Sequence, residues 1–107
     1  MAAVLALCAV SVSTASQAGG NAEKGKARAA EVCAACHGAD GARPVAPENP
    51  ILAGQYYDYL VKALLDYQSG SRANPVMKGF AGPLKKQEIE DLAAWFASQK
   101  SILHFKR

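Results

Sequence analysis

Cys33-Ala34-Ala35-Cys36-His37 sets two thiols three positions apart, with an imidazole directly after the second. Thiols at this spacing can bind a metal, exchange disulfides, or add to the two vinyl groups of one porphyrin. A structural zinc site needs about four ligands, usually a second Cys pair or a spaced His pair. Beyond the motif the chain offers Cys8, near its start, and His104, near its end, and neither forms such a pair. A redox-active dithiol should follow a strand and open a helix. Here the pair closes a helical stretch and no strand precedes it. Covalent haem attachment asks for what is present: two thiols for the vinyl groups and a histidine beneath the iron.

The chain opens with MAAVLALCAVSVSTASQAGG, which carries no charged side chain. Its apolar run, Ala2 to Val12, is shorter than the roughly 20 residues that cross a bilayer. Ser16-Gln17-Ala18 suits cleavage by a signal peptidase after Ala18. We therefore expect residues 1–18 to be a signal peptide, removed on export to the periplasm, and 19–107 to be the working domain. That domain keeps two cysteines, Cys33 and Cys36, and one methionine, Met77. Iron held from one side by His37 takes its second ligand from Met or His. Met77, in the stretch NPVMKGF, is the candidate, and His104, in the tail SILHFKR, is the rival.

These groups need elements to position them. The 107 residues, with a net charge of +3, make one small domain whose modest core leaves room for a cofactor to complete it. A first helix is expected over 22–35, N-capped by Asn21, with Glu23 in its first turn and Gly38 ending it in a left-handed conformation. Gly25, Ala29 and Val32 share one face, where another helix can approach closely. Three prolines, with Gly38, Gly41 and Gly54, make 38–54 irregular. A second helix is expected over 55–68, with Tyr56, Leu60, Ala63, Leu64 and Tyr67 at helical spacing. An irregular loop spans 71–84. A third helix spans 85–99 with Ile89, Leu92, Trp95 and Phe96 as its apolar stripe and a poor N-cap in Lys85. The domain is all-α.

CAACHGADG, PILAGQYYDYL, YQSGSRANPVM and LKKQEIEDLAAWFAS, in that order, resemble the small bacterial class I c-type cytochromes. The likeness covers about residues 21–100. It implies a class I cytochrome c fold: about three main helices wrapped around one haem, the first and last crossing. It implies thioethers at Cys33 and Cys36 and axial ligands at His37 and Met77. It places the carbonyl of Pro50 as the acceptor for His37, and a small residue of the first helix, here Gly25, against an aromatic of the last. Leu92 with Trp95 or Phe96 would fill that contact. Asn74 either hydrogen-bonds near the Met77 sulfur or caps the turn at Pro75.

The function expected is one-electron transfer in the periplasm, with no catalytic residue. The alternative is a tightly bound monohaem subunit passing electrons from a dehydrogenase or to an oxidase. A third reading, a haem enzyme or gas binder, needs a labile sixth ligand. Redox proteins docking transiently at the haem edge are the expected partners, with Arg72, Lys78, Lys85 and Lys86 as a candidate ring of charge. The mild positive excess falls short of a nucleic-acid surface. No membrane span remains once the leader is removed, and the chain should be a monomer or a subunit of a larger redox complex.

Overall fold

The structure, a computed structural model, describes residues 3, 4, 6 and 19–101. The expected leader lies almost entirely outside the described residues, as do His104 and the rest of the tail after Ser101. Among the described residues five helices follow one another: α1 (Ala22–Val32), α2 (Ala34–His37), α3 (Tyr57–Ser69), α4 (Pro75–Ala81) and α5 (Lys86–Ser98). No strand occurs among the described residues.

α1 starts where Asn21 accepts the Lys24 N–H at 3.0 Å. Its buried residues, Gly25 and Ala29, lie against α5, its main packing partner. The contact at Gly25 is backbone to backbone. A Cβ there would overlap the Asp91 carbonyl and come within 2.9 Å of the Trp95 Cβ. The close approach expected at Gly25 is present, but Asp91 and Trp95 make it rather than Leu92 or Phe96, which turn inward to the core. Buried Asp91 fastens the same crossing through its side chain, accepting the Asn21 N–H and the Gln87 amide, each at 2.8 Å. Arg28 adds an ion pair across it to Glu88 at 3.0 Å.

Helix boundaries differ from expectation in three places. The first helix is two. Cys33 still donates its N–H to Ala29 O at 2.9 Å, but its φ of −117° breaks the helical run. α2 restarts from it, with the N–H groups of Cys36 and His37 both bonding Cys33 O. Gly38 does end this turn at a positive φ of 87°, but its ψ of 157° is not left-handed helical; it is a region essentially open to glycine alone. The chain leaves sharply there, and a Cβ would sit 2.9 Å from the Arg43 carbonyl.

The second helix begins at Tyr57, so Tyr56 stays outside it and is 76% exposed rather than part of the apolar stripe. Gly70, left-handed at φ 85°, ends it. The third difference is α4, inside the stretch expected to be irregular. Asn74 at the N-cap followed by Pro75 at the first helical position is a strong start signal. The glycines and Pro83 around it, disfavoured inside helices, obscured it.

α5 is the central element. Ile89, Leu92, Ala93 and Phe96 are buried together with Ala29, Leu60 and Leu84 from the elements around it. Its start lacks a good N-cap side chain, and Glu88 compensates by accepting the Lys85 N–H at 3.0 Å. Among the described residues no helix is long and apolar enough to cross a membrane.

Candidate functional site

Two segments far apart in sequence line one cavity of about 700 Å³. That volume lies in the range of small-molecule and cofactor sites. Cys33, Cys36 and His37 line it from α2, Pro50 from the following loop, and Asn74 and Met77 from α4. Its remaining walls are largely apolar, with Leu60, Leu64, Leu84, Leu92 and Phe96 contributed by α3, the α4–α5 link and α5. The core is therefore hollow on one side of α5.

α2 supplies three of these groups from one short turn. The break at Cys33 leaves both cysteines on the cavity wall, half-buried and not bonded to each other. Burial, the largest influence, pushes the Cys33 thiol up to about 11; Arg28 opposes this and Cys36 adds to it. Among the described residues no group of three His, Cys, Asp or Glu is arranged to hold a metal ion.

His37 is buried. Its Nδ1 lies 2.9 Å from the Pro50 carbonyl. A carbonyl only accepts, so Nδ1 is the protonated nitrogen and Nε2 keeps its lone pair. The loop that brings Pro50 there is tied back to the motif. The Cys36 carbonyl accepts from Val45 N at 3.0 Å and from the Asn49 amide at 3.2 Å. Gly41 O accepts from Leu52 and Ala53 just beyond Pro50.

Met77, which also lines the cavity, is the third residue of α4 and is half-buried. Asn74 accepts from Val76 N and Met77 N at 3.1 Å each. Of its two expected roles, the side-chain oxygen takes the cap. The far end of α4 is clamped by Gln68, whose amide donates toward the carbonyls of Ala81, Gly82 and Leu84 at 2.9–3.2 Å. Sequence reading gave no sign of this clamp, because Gln68 at the end of α3 looks like any polar surface residue.

Tyr59, Tyr67 and Arg72 also line the cavity. Arg72, one of the four residues of the candidate charge ring, is exposed, and its side chain lies over the Tyr67 ring, 4.8 Å from its centroid. Lys78, Lys85 and Lys86 are exposed and outside the cavity wall.

A helical wrap with crossing ends and a motif-bearing cavity at its centre defines a class, and the comparisons agree with it. Residues 22–100 match the family model for cytochrome c, and the chain belongs to that family. It is similar to cytochrome c4 of Pseudomonas aeruginosa, 51% identical over 83 residues, covering 78% of this chain and 40% of that protein. It is similar to a thiosulfate dehydrogenase electron acceptor of Stutzerimonas stutzeri, 44% identical over 66 residues, covering 62% of this chain and 31% of that one. The crystal structure of reduced recombinant cytochrome c4 from Pseudomonas stutzeri superposes with a TM-score of 0.69 at 44% identity, covering 76% of this chain and 46% of that chain. The chain thus spans less than half the length of these relatives.

Family membership brings one covalently bound c-type haem. The residues present fit that group. Two thiols stand on one cavity wall, a histidine has its ring oriented and one nitrogen free, and a thioether stands on another wall. The space between is mostly apolar.

Proposed function

We propose that this chain is a one-electron carrier in which Cys33 and Cys36 hold the haem through thioethers and His37 and Met77 bind its iron from opposite faces. The observation that carries this reading is the convergence of those four side chains, from α2 and α4, on one cavity. The haem supplies reversible one-electron chemistry between Fe(II) and Fe(III).

The chain's own residues set how that chemistry runs. Pro50 holds the His37 ring through Nδ1 and raises the basicity of Nε2. Met77 offers a soft thioether, which favours the reduced state and raises the potential. Asn74 and Gln68 fix the two ends of α4, so the thioether is held in place in both oxidation states. The apolar walls keep water away. With His37 and Met77 both holding the iron, no position would be left for a substrate, and the chain would serve as a carrier and not as an enzyme.

The reading extends to export of the chain to the periplasm, with residues 1–18 as the removed leader and 19–107 as the domain. Redox proteins are the partners. A second reading, a cytochrome subunit held by a larger redox assembly, is favoured by the likeness to an electron acceptor of thiosulfate dehydrogenase and by the length of the relatives. Copurification separates the two: a free carrier elutes alone, a subunit with its enzyme.

Carbon monoxide tests the ligand set. The reduced protein should not bind it at neutral pH. Met77→Ala should bind it readily and show a lower midpoint potential. A variant with the spectrum and potential of the wild type would remove Met77 from the site.

A further inference from the structure

Asn49 directly precedes Pro50, and its side chain reaches back to the cysteine motif. Its Nδ2 donates to the Cys36 carbonyl at 3.2 Å. That carbonyl belongs to the peptide unit that leads into His37. One residue on from Asn49, the Pro50 carbonyl accepts from His37 Nδ1 at 2.9 Å. Two consecutive residues of one loop thus hold the same histidine, Asn49 at its backbone and Pro50 at its ring. All four residues, Cys36, His37, Asn49 and Pro50, line the cavity.

Little else aims the Pro50 carbonyl. Arg43, Val45, Pro47, Glu48 and Pro50 are exposed, so packing does not hold this loop against α2. Among the described residues, Asn49 is the only side chain of 43–50 that hydrogen-bonds the turn carrying the motif. Its backbone N–H is engaged too, bonding Ala46 O at 3.1 Å, so the residue is fixed at both backbone and side chain. Pro50 transmits that position. Its ring locks φ, and the residue before a proline is confined to extended conformations. With those torsions restricted, the direction of the Pro50 carbonyl follows from where Asn49 is held. Leu52 and Ala53, bonding Gly41 O, fix the far end of the segment.

We propose that Asn49 is a positioning residue: its amide on the Cys36 carbonyl keeps the Pro50 carbonyl on His37, and so sets how strongly that ring donates to iron. This rests on the haem reading above and adds to it a residue that acts only through Pro50. In the sequence Asn49-Pro50 reads as the start of an ordinary turn. Only the fold brings its side chain to the motif.

The consequence for potential has a definite sign. An acceptor on the Nδ1 proton makes Nε2 a stronger donor. A stronger donor favours ferric over ferrous iron, so the grip lowers the potential. Loosening it lets the potential rise and opens the Nδ1 proton to exchange with water. The two effects have one cause and appear together. A mere change of polarity on the cavity wall would move the potential without freeing the proton. The Cys36 carbonyl also accepts from Val45 N at 3.0 Å, so losing the Asn49 amide leaves no acceptor unpaired. The loss falls on the direction of Pro50, not on an unmet polar group.

The experiment compares haem-loaded proteins at neutral pH by two readings. One is the midpoint potential from redox titration. The other is exchange of the His37 Nδ1 proton with water, followed by NMR in the reduced state. Asn49→Leu keeps the size and removes the donor. Asn49→Ser keeps a polar group but is too short to reach Cys36. Each should show a higher potential than wild type and exchange faster by about threefold to tenfold, the worth of one hydrogen bond. Val45→Ala trims an exposed side chain of the same loop, keeps its N–H, and should match wild type in both readings. The proposal is overturned if either reading stays at its wild-type value in either Asn49 variant, or if Val45→Ala moves as far. If Asn49→Leu does not take up haem, Asn49→Ser decides alone by the same two readings. Absence of covalent haem from the wild-type protein, read by its mass, would instead sink the haem reading.

Discussion

His37 has two ring nitrogens, and the Pro50 carbonyl decides which of them is engaged and which is left free for the proposed ligation. Proline suits that place because it stiffens the loop while offering an acceptor with no N–H of its own. The carbonyl is 2.9 Å away. Asn74 serves the other wall in a plainer manner, through the start of α4. Asn74→Ala should therefore cost about 1 kcal/mol of stability, the usual value of a lost N-cap. Asn74→Ser, which still caps, should recover most of it in denaturant titrations of the haem-loaded protein. A serine variant no more stable than the alanine one would point to a role other than capping.

Among the elements, the crossing of α1 and α5 is the tightest contact. At Gly25 the neighbour is the Asp91 carbonyl, part of the α5 backbone, and it cannot rotate away as a side chain would. In an open helix Gly→Ala gains about 1 kcal/mol from propensity. Here Gly25→Ala should lose about 1–3 kcal/mol from overpacking. Thermal unfolding of the haem-loaded variant reads the difference, and an unchanged or raised midpoint would count against a close crossing. Gly79 provides the contrast, since no atom lies within 4 Å of a Cβ placed there. α4 makes the opposite point about legibility. Its start signal, Asn74-Pro75, was in plain view, and the breakers around it masked seven residues of helix.

For the whole molecule, the cavity accounts for the small core. Leu60, Leu84, Leu92, Ala93 and Phe96 belong to the buried core and also line the cavity, so the core is left for the cofactor to complete. The protein should therefore unfold far more easily without haem than with it, as any ligand bound to the native state alone stabilises that state. On the reading that residues 1–18 are removed, the exported protein should have the mass of residues 19–107 plus one haem. A mass retaining the leader, or lacking haem, would overturn that organisation.

Much of this was written in the chain itself. Cys33, Cys36 and His37 name their chemistry because their types and spacing are local properties. Helical periodicity and the Asn21 cap are local as well. With residues 1–18 removed, methionine content leaves Met77 as the one methionine candidate for the proposed second ligand, with His104 as the rival. The tertiary structure decided what depends on distance between segments. It brought Met77 and the α2 turn to one cavity, and it put Asp91 and Trp95, not Leu92, against Gly25. It laid Arg72 over the Tyr67 ring and set Gln68 on three carbonyls of another segment. Such contacts depend on how helices rotate and cross, and no short stretch of sequence records that rotation.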